Sequence, residues 1–192
     1  MQSSIKKWVK QHLSDEKYRH VLGVEKTAVE LAKRFGVDEN KASIAALLHD
    51  CAKNLKSKEL LEIIREKEIV VSEMEMKCTK TLHSPVGAYF AQVQFGIEDK
   101  EILDAIRYHT IGHNNMTTMD KIIFLADKIE PETREKDFVD KVRNILDSTN
   151  NIDEALLICY DATIRSLLGR QLVINPDTIE VYNHLVLKLQ KS

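Results

Sequence analysis

The chain has 192 residues, Lys+Arg 28 against Asp+Glu 30, a net charge of −2, and 43% hydrophobic residues. That allows one core of ordinary size and excludes a basic, duplex-binding protein, because no basic tail or stripe stands out. Only six glycines and three prolines are present, which favours helices over turn-rich sheet.

The spacing predicts an all-α chain. Ser4 is a candidate cap for a short helix to about Leu13. Ser14 caps the next, with His20, Val21, Val24, Ala28, Leu31, Ala32 and Phe35 at three- and four-residue steps, and Gly36 ends it. Asp38 caps a third helix predicted to reach Lys53. Ser57 starts a fourth, to about Glu68. The segment 69–81 reads as loop with a short helical turn. Ser84-Pro85 predicts a cap with proline at the first helical position, just after His83, in a helix that Gly96 stops. Asp99 opens a helix reaching His109, and a loop covers Thr110 to Thr117. Thr118 caps Met119 to Ile129, and Pro131 forbids easy continuation. Three more helices follow, at about 138–146, 154–168 and 177–189, with a short extended piece at 171–174. The break near Pro131 separates a metal-bearing part, about 14–134, from a helical extension, about 135–192, within a single domain.

Cys51, Cys78 and Cys159 are widely spaced, with no C-x-x-C, and fit no disulfide framework. Met1 to His20 lacks a continuous apolar core, and the longest apolar stretches, at 44–48 and 122–126, are too short to span a membrane. The expectation is a cytoplasmic protein acting on a small molecule, with no nucleic-acid or membrane partner. The outer face of the C-terminal helices leaves a homodimer open.

The residues that carry chemistry are His20, the adjacent pair His49-Asp50, His83, His109 and Asp127. Imidazoles and carboxylates hold divalent transition metals through nitrogen and oxygen. Asp50 follows the apolar run Ala42-Ser43-Ile44-Ala45-Ala46-Leu47-Leu48, and a carboxylate there is costly to bury without a partner. A metal ion is such a partner. Each histidine alone reads more readily as an ordinary core or surface residue. The joint pattern is the signal, since ligands at the ends of several packed helices can converge on one dinuclear site. Other features read as packing or solvated surface. Cys51 is a small core residue, Met74 and Met76 pack, His12 and His184 have no partner pattern, and Gly112 argues against a helical metal pair of His109 and His113.

In order and setting these residues resemble the HD-domain metal-dependent phosphohydrolases, whose pattern is His, then His-Asp, then Asp, with extra histidines in two-metal members. A narrower resemblance, over most of residues 18–134, is to the YqeK-type symmetrical diadenosine tetraphosphate hydrolases. It rests on Arg19-His20, Leu48-His49-Asp50-Cys51-Ala52-Lys53, His83-Ser84-Pro85-Val86-Gly87-Ala88, His109-Thr110-Ile111-Gly112, the run from Met119 to Asp127, and Ile129-Glu130-Pro131 with Arg134. The resemblance implies an HD-domain helical bundle. It implies two divalent ions, iron first, with manganese or zinc as the other candidates. Asp50 would bridge them; His20, His49 and Asp127 would complete one site, His83 and His109 the other. Two such ions, roughly 3.5–4 Å apart, lower the pKa of a shared water and clamp an in-line displacement at phosphorus. The implied reaction is attack of the bridging hydroxide on an internal phosphorus of diadenosine tetraphosphate, leaving two ADP.

Lys53, at i+3 from Asp50, is a candidate to touch phosphate or stabilise charge in the reaction, and a solvated lysine is the plain alternative. Arg134 can clamp phosphate bidentately. Thr110, Gly112 and His113 are candidate pocket residues. His113 stands where the family often carries arginine, so that phosphate contact is reduced or passes to another base. Three other readings stay open: hydrolysis of a different nucleotide or an alarmone, oxygen chemistry at two irons, and a non-catalytic nucleotide-sensing module.

Overall fold

A computed structural model describes residues 1–191. Among them are eleven α-helices, one 3-10 turn and no strand, so the all-α expectation holds. Among the described residues no helix is long and apolar enough to cross a membrane.

Helix α1 (Gln2–His12) begins at Met1 rather than at a Ser4 cap. Helix α2 (Asp15–Phe35) starts where expected, with Ser14 Oγ accepting from the Lys17 amide. It ends at Gly36, whose φ of +69° is the left-handed geometry glycine tolerates. Helix α3 (Glu39–Leu48) is capped by Asp38, which accepts from the Asn40 and Lys41 amides. Its Ala42, Ala45, Ala46, Leu47 and Leu48 are all buried, and it packs on α1, α2 and later helices.

Helix α3 stops five residues before the predicted Lys53. The cause is local. His49 Nδ1 donates to the Ala46 carbonyl at 2.6 Å, occupying the acceptor that a continuing helix would offer to the Asp50 amide. The chain proceeds instead by short turns, Cys51 N to Leu48 O, Lys53 N to Asp50 O and Leu55 N to Ala52 O. The His-Asp pair therefore sits on the rim of α3 rather than inside it.

Helices α4 (Ser57–Glu66) and α5 (Glu73–Lys77) lead to a 3-10 turn at Thr79–Thr81. That turn runs straight into α6 (His83–Phe95), because Leu82 already has helical dihedrals. Ser84 is thus not a cap, and its hydroxyl bonds the Thr110 hydroxyl at 3.0 Å. Helix α7 (Lys100–Tyr108) is capped by Asp99 as expected. Helix α8 (Thr118–Ile129) is capped by Thr117, one residue before the predicted cap, in a reciprocal box with Asp120. It is the central strut, with Met119, Ile122, Ile123, Phe124, Leu125, Ala126 and Ile129 all at 0% exposure.

Helices α9 (Lys136–Thr149), α10 (Ile152–Gly169) and α11 (Pro176–Leu189) are each longer than predicted or shifted by one or two residues, and 171–174 forms no strand. One continuous core joins them to α1, α2, α3, α6, α7 and α8, while Leu60 and Ile64 of α4 pack with Ala52, Leu82 and Val86 in a second, smaller cluster. Tyr160 of α10 stacks on Phe124 of α8, with centroids 4.5 Å apart, and donates its hydroxyl to the Ile111 carbonyl at 3.2 Å. The C-terminal helices are thereby docked on the strut that carries Asp127.

Candidate metal centre

The six predicted ligands come from five helices or their ends, and all are buried. His20 lies on α2, His49 and Asp50 follow α3, His83 opens α6, His109 follows α7, and Asp127 lies in the last turn of α8. Donor atoms of His20, His49 and Asp50 lie within metal-sharing distance of one another, and so do those of Asp50, His83 and His109. Asp50 is common to both groups. Asp127 joins the first, with Oδ1 at 3.0 Å from His20 Nε2 and 3.8 Å from His49 Nε2. In the second, Asp50 Oδ1 is 3.1 Å from His83 Nε2 and 3.4 Å from His109 Nε2.

The ring orientations decide what these atoms are. His49, His83 and His109 each place Nδ1 on the carbonyl three residues back, Ala46, Lys80 and Ile106, at 2.6, 2.8 and 2.8 Å. A carbonyl only accepts, so each Nδ1 carries the proton of the neutral ring and each Nε2 is a bare lone pair. His20 is oriented by another route, with Nδ1 on the Glu130 carboxylate at 2.9 Å and Nε2 turned to Asp127 Oδ1 at 3.0 Å. The four Nε2 atoms and the oxygens of two aspartates thus face one another. His49 Nε2 and Asp50 Oδ1 are buried without a hydrogen-bond partner, and His83 Nε2 is 3.3 Å from His109 Nε2. Acceptors in contact, with no proton between them, call for a cation. Nitrogen and oxygen donors with no thiolate suit iron, manganese or zinc.

Protonation agrees. Burial pushes His49 down to about 3, against the pull of Asp50. Burial likewise lowers His83, despite its bond to Asp50. For Asp50, burial alone would raise the carboxyl, but His49, His109, His83 and Lys53 outweigh it and hold it well below the usual carboxylate range. For Asp127, burial is outweighed by Lys128, His20 and Arg134, and the group is again held low. His49 and His83 are thereby held as neutral imidazoles and Asp50 and Asp127 as ionised carboxylates, the forms that bind metal, whereas bonds to Asp127 and Glu130 raise His20 against the effect of its burial.

Two supporting features escaped the sequence reading. Glu130 is fully buried and also accepts from the Glu132 and Thr133 amides and the Thr133 hydroxyl. Opposite it on α2, a Cβ on Gly23 would come 2.4 Å from Glu130 Oε2, so only glycine leaves the carboxylate its place. A glycine inside a helix, one turn after His20, was the available signal. The second feature is the Ser84–Thr110 hydroxyl pair. Each residue follows a candidate ligand, and the bond ties α6 to the end of α7, where His83 and His109 meet.

The remaining predicted residues divide. Lys53 Nζ is 3.0 Å from His83 Nε2 and 3.5 Å from Asp50 Oδ1. Arg134 holds Asp127 twice, through Nε to the main-chain carbonyl at 2.7 Å and Nη2 to Oδ1 at 2.6 Å. Both side chains are partly exposed, at 39% and 37%, and mark the mouth of the pocket. Thr110 is engaged with Ser84. Gly112, expected in the pocket, serves packing instead: at φ +76° a Cβ would meet the Tyr160 hydroxyl at 2.0 Å. His113 bonds Asp120 at 3.1 Å and lies against Tyr108, which turns it toward the start of α8, away from the Asp127 end. Cys51 is buried with its thiol pushed up to about 12 by burial and by Asp50, so it is no nucleophile.

A helical bundle with a His, His-Asp, Asp ligand set defines the class. The HD domain family matches residues 18–132, and the chain belongs to that family. It is similar to the symmetrical bis(5'-nucleosyl)-tetraphosphatase of Halalkalibacterium halodurans, 42% identical over 180 residues, 94% of each chain. It is 41% identical to the enzyme of the same name from Bacillus subtilis, over 93% of this chain and 94% of that one. A crystal structure of a predicted HD superfamily hydrolase involved in NAD metabolism, from Clostridium acetobutylicum, superposes with a TM-score of 0.90 at 35% identity, over 97% of each chain. The resemblance read from the motifs is borne out.

Proposed function

We propose that the chain is a metal-dependent phosphohydrolase that cleaves diadenosine tetraphosphate symmetrically to two ADP. The observation that carries this is the set of four Nε2 atoms gathered around Asp50 and Asp127, each ring held by an acceptor on its far nitrogen. His20, His49, Asp50 and Asp127 would hold one divalent ion; His83, His109 and Asp50 would hold a second. Two such ions supply Lewis acidity toward phosphate oxygens and a water of lowered pKa. Iron is the metal proposed, with manganese and zinc compatible with the same donors. The two named relatives support the choice of substrate.

The other residues do the binding and orienting. Lys53, at the edge of the His83 group, presents its ammonium to a polyphosphate oxygen and offsets charge as the anhydride breaks. Arg134 orients Asp127 with Nε and Nη2 and has Nη1 left for phosphate. Ser84 and Thr110 hold two ligands in register and touch no substrate. His113 and Gly112 lie outside the phosphate path, so the position where the family often has arginine is not needed for it here.

Asp50→Ala tests the proposal. Asp50 is shared by both ligand groups, so the folded variant binds neither ion tightly and releases no ADP. A folded Asp50→Ala protein that is free of metal yet fully active would refute it.

A further inference from the structure

Lys53 touches the candidate ligands through contacts that a bound ion would take over. Its Nζ is 3.0 Å from His83 Nε2 and 3.5 Å from Asp50 Oδ1, two of the atoms that face the second candidate position. Once that lone pair is taken by an ion, the ammonium has to leave it, because like charges repel. The direction of Lys53 is then set by its main chain. Residues 50–55 form no helix and are joined by single turns, Lys53 N to Asp50 O at 2.9 Å and Leu55 N to Ala52 O at 3.1 Å. Lys53 and Asn54 are both exposed, so burial does not fix them.

The turn is held from outside the ligand set. Asn54 donates Nδ2 to the His12 carbonyl at 2.6 Å and accepts the Lys17 ammonium on Oδ1 at 2.5 Å. Lys17 Nζ also reaches the Lys53 carbonyl at 3.4 Å. Both supports are themselves fixed. The His12 carbonyl lies in the last turn of α1, where a helix leaves acceptors unused. Helix α1 is anchored by Ile5 and Val9, both fully buried, and packs on α3. Lys17 lies in the first turn of α2, three residues before His20, where Ser14 caps the helix. Lys17 and α1 precede residues 18–132, the segment matched by the HD domain family, so membership of the family gives them no part in the site.

We infer that Lys17 and Asn54 are positioning residues for Lys53. They tie the turn that carries it to the end of α1 and to the helix that carries His20, and so aim its ammonium when the ligand atoms are occupied. Asn54 is the joint, because a side-chain amide donates to one helix and accepts from the other. An apolar side chain does neither, and a carboxylate only accepts. This rests on the proposed hydrolase reading, which gives Lys53 its contact with phosphate, and deepens it: α1 acts on substrate affinity without touching substrate.

The test uses the manganese-loaded full chain with Asn54→Ala, Lys17→Met and Lys17→Arg. Asn54 is exposed and Lys17 half-buried, so melting curves and metal affinities should stay close to those of the parent. Amide hydrogen exchange, read by NMR, should quicken at Lys53 and Leu55 by about fivefold in Asn54→Ala, the loss of one hydrogen bond, and stay unchanged in α3 and α6. Lys17→Met should follow Asn54→Ala, and Lys17→Arg, which keeps a donor, should follow the parent. The dissociation constant for ADP, by equilibrium dialysis, should rise about tenfold in Asn54→Ala, kcat/KM for diadenosine tetraphosphate should fall in step, and neither should change further when Asn54→Ala is added to Lys53→Met. A merely structural role would not depend on Lys53 in this way. Unchanged exchange at the two amides, ADP affinity unmoved by Asn54→Ala, or the same loss of affinity with and without Lys53 overturns the inference. Failure of the hydrolase reading would show separately, as a parent that binds ADP but does not cleave diadenosine tetraphosphate, while exchange and ADP affinity still judge the two positioning residues.

Discussion

Glu130→Gln probes the support of one metal position while leaving all six ligands in place. Glu130 accepts His20 Nδ1–H on one carboxylate oxygen and the Glu132 amide on the other. A glutamine offers one oxygen only. If its amide nitrogen faces His20, donor meets donor, the imidazole switches tautomer, and Nε2 is no longer free to bind. If the oxygen faces His20, the orientation survives, but a neutral acceptor makes the ring a poorer donor to metal, and the Glu132 amide loses its partner. Loss of such an outer partner costs about tenfold to a hundredfold in metal affinity, or about 1.4 to 2.7 kcal/mol. The orphaned amide costs the fold about 1–3 kcal/mol more. The effect should be confined to the His20 group, since His83 and His109 are oriented by the backbone. Competitive titration with a chromogenic chelator measures both affinities. We expect one position weakened and the other within twofold of the parent. Unchanged affinity at both, or equal loss at both, would refute the reasoning.

Gly23→Ala places a methyl 2.4 Å from Glu130 Oε2, so it should weaken the same metal position as Glu130→Gln, read by the same titration. Gly112→Ala should lower stability by about 2 kcal/mol or more, from positive φ and overpacking against Tyr160; adding Tyr160→Phe should restore part of it, seen in a urea double-mutant cycle. The metal-free protein should lose stability as pH falls below about 6.5. His49 is lowered to about 3, so the unfolded chain takes up that proton first and stability drains away between about 6.5 and 3. Asp50 and Asp127, also held low, extend the loss below about 4, whereas His20, which is raised, stabilises below 6.5 and works against it. Melting temperature against pH, with and without metal, reads this.

How much was legible follows from the range of the interactions involved. Ser14, Gly36, Asp38 and Asp99 cap or end helices through contacts within a few residues, and each does so as read. The candidate ligands were legible as a group because metal chemistry restricts residue type, and the structure gathers them into two groups that share Asp50. The end of α3 was not, because the His49 side chain, not a capping residue or glycine, stops the helix. Glu130 was visible only as part of a motif, since its work depends on α2 lying against the end of α8. Gly112 was placed in the pocket because its freedom was evident and its neighbour Tyr160, far along the chain, was not.

The most direct test of the account is the product pattern. Metal-loaded protein would be given diadenosine tetraphosphate and the products separated by ion exchange. The account predicts ADP alone, abolished by chelator and restored by iron or manganese. AMP with ATP in equal amounts, or cleavage indifferent to chelation, would contradict it.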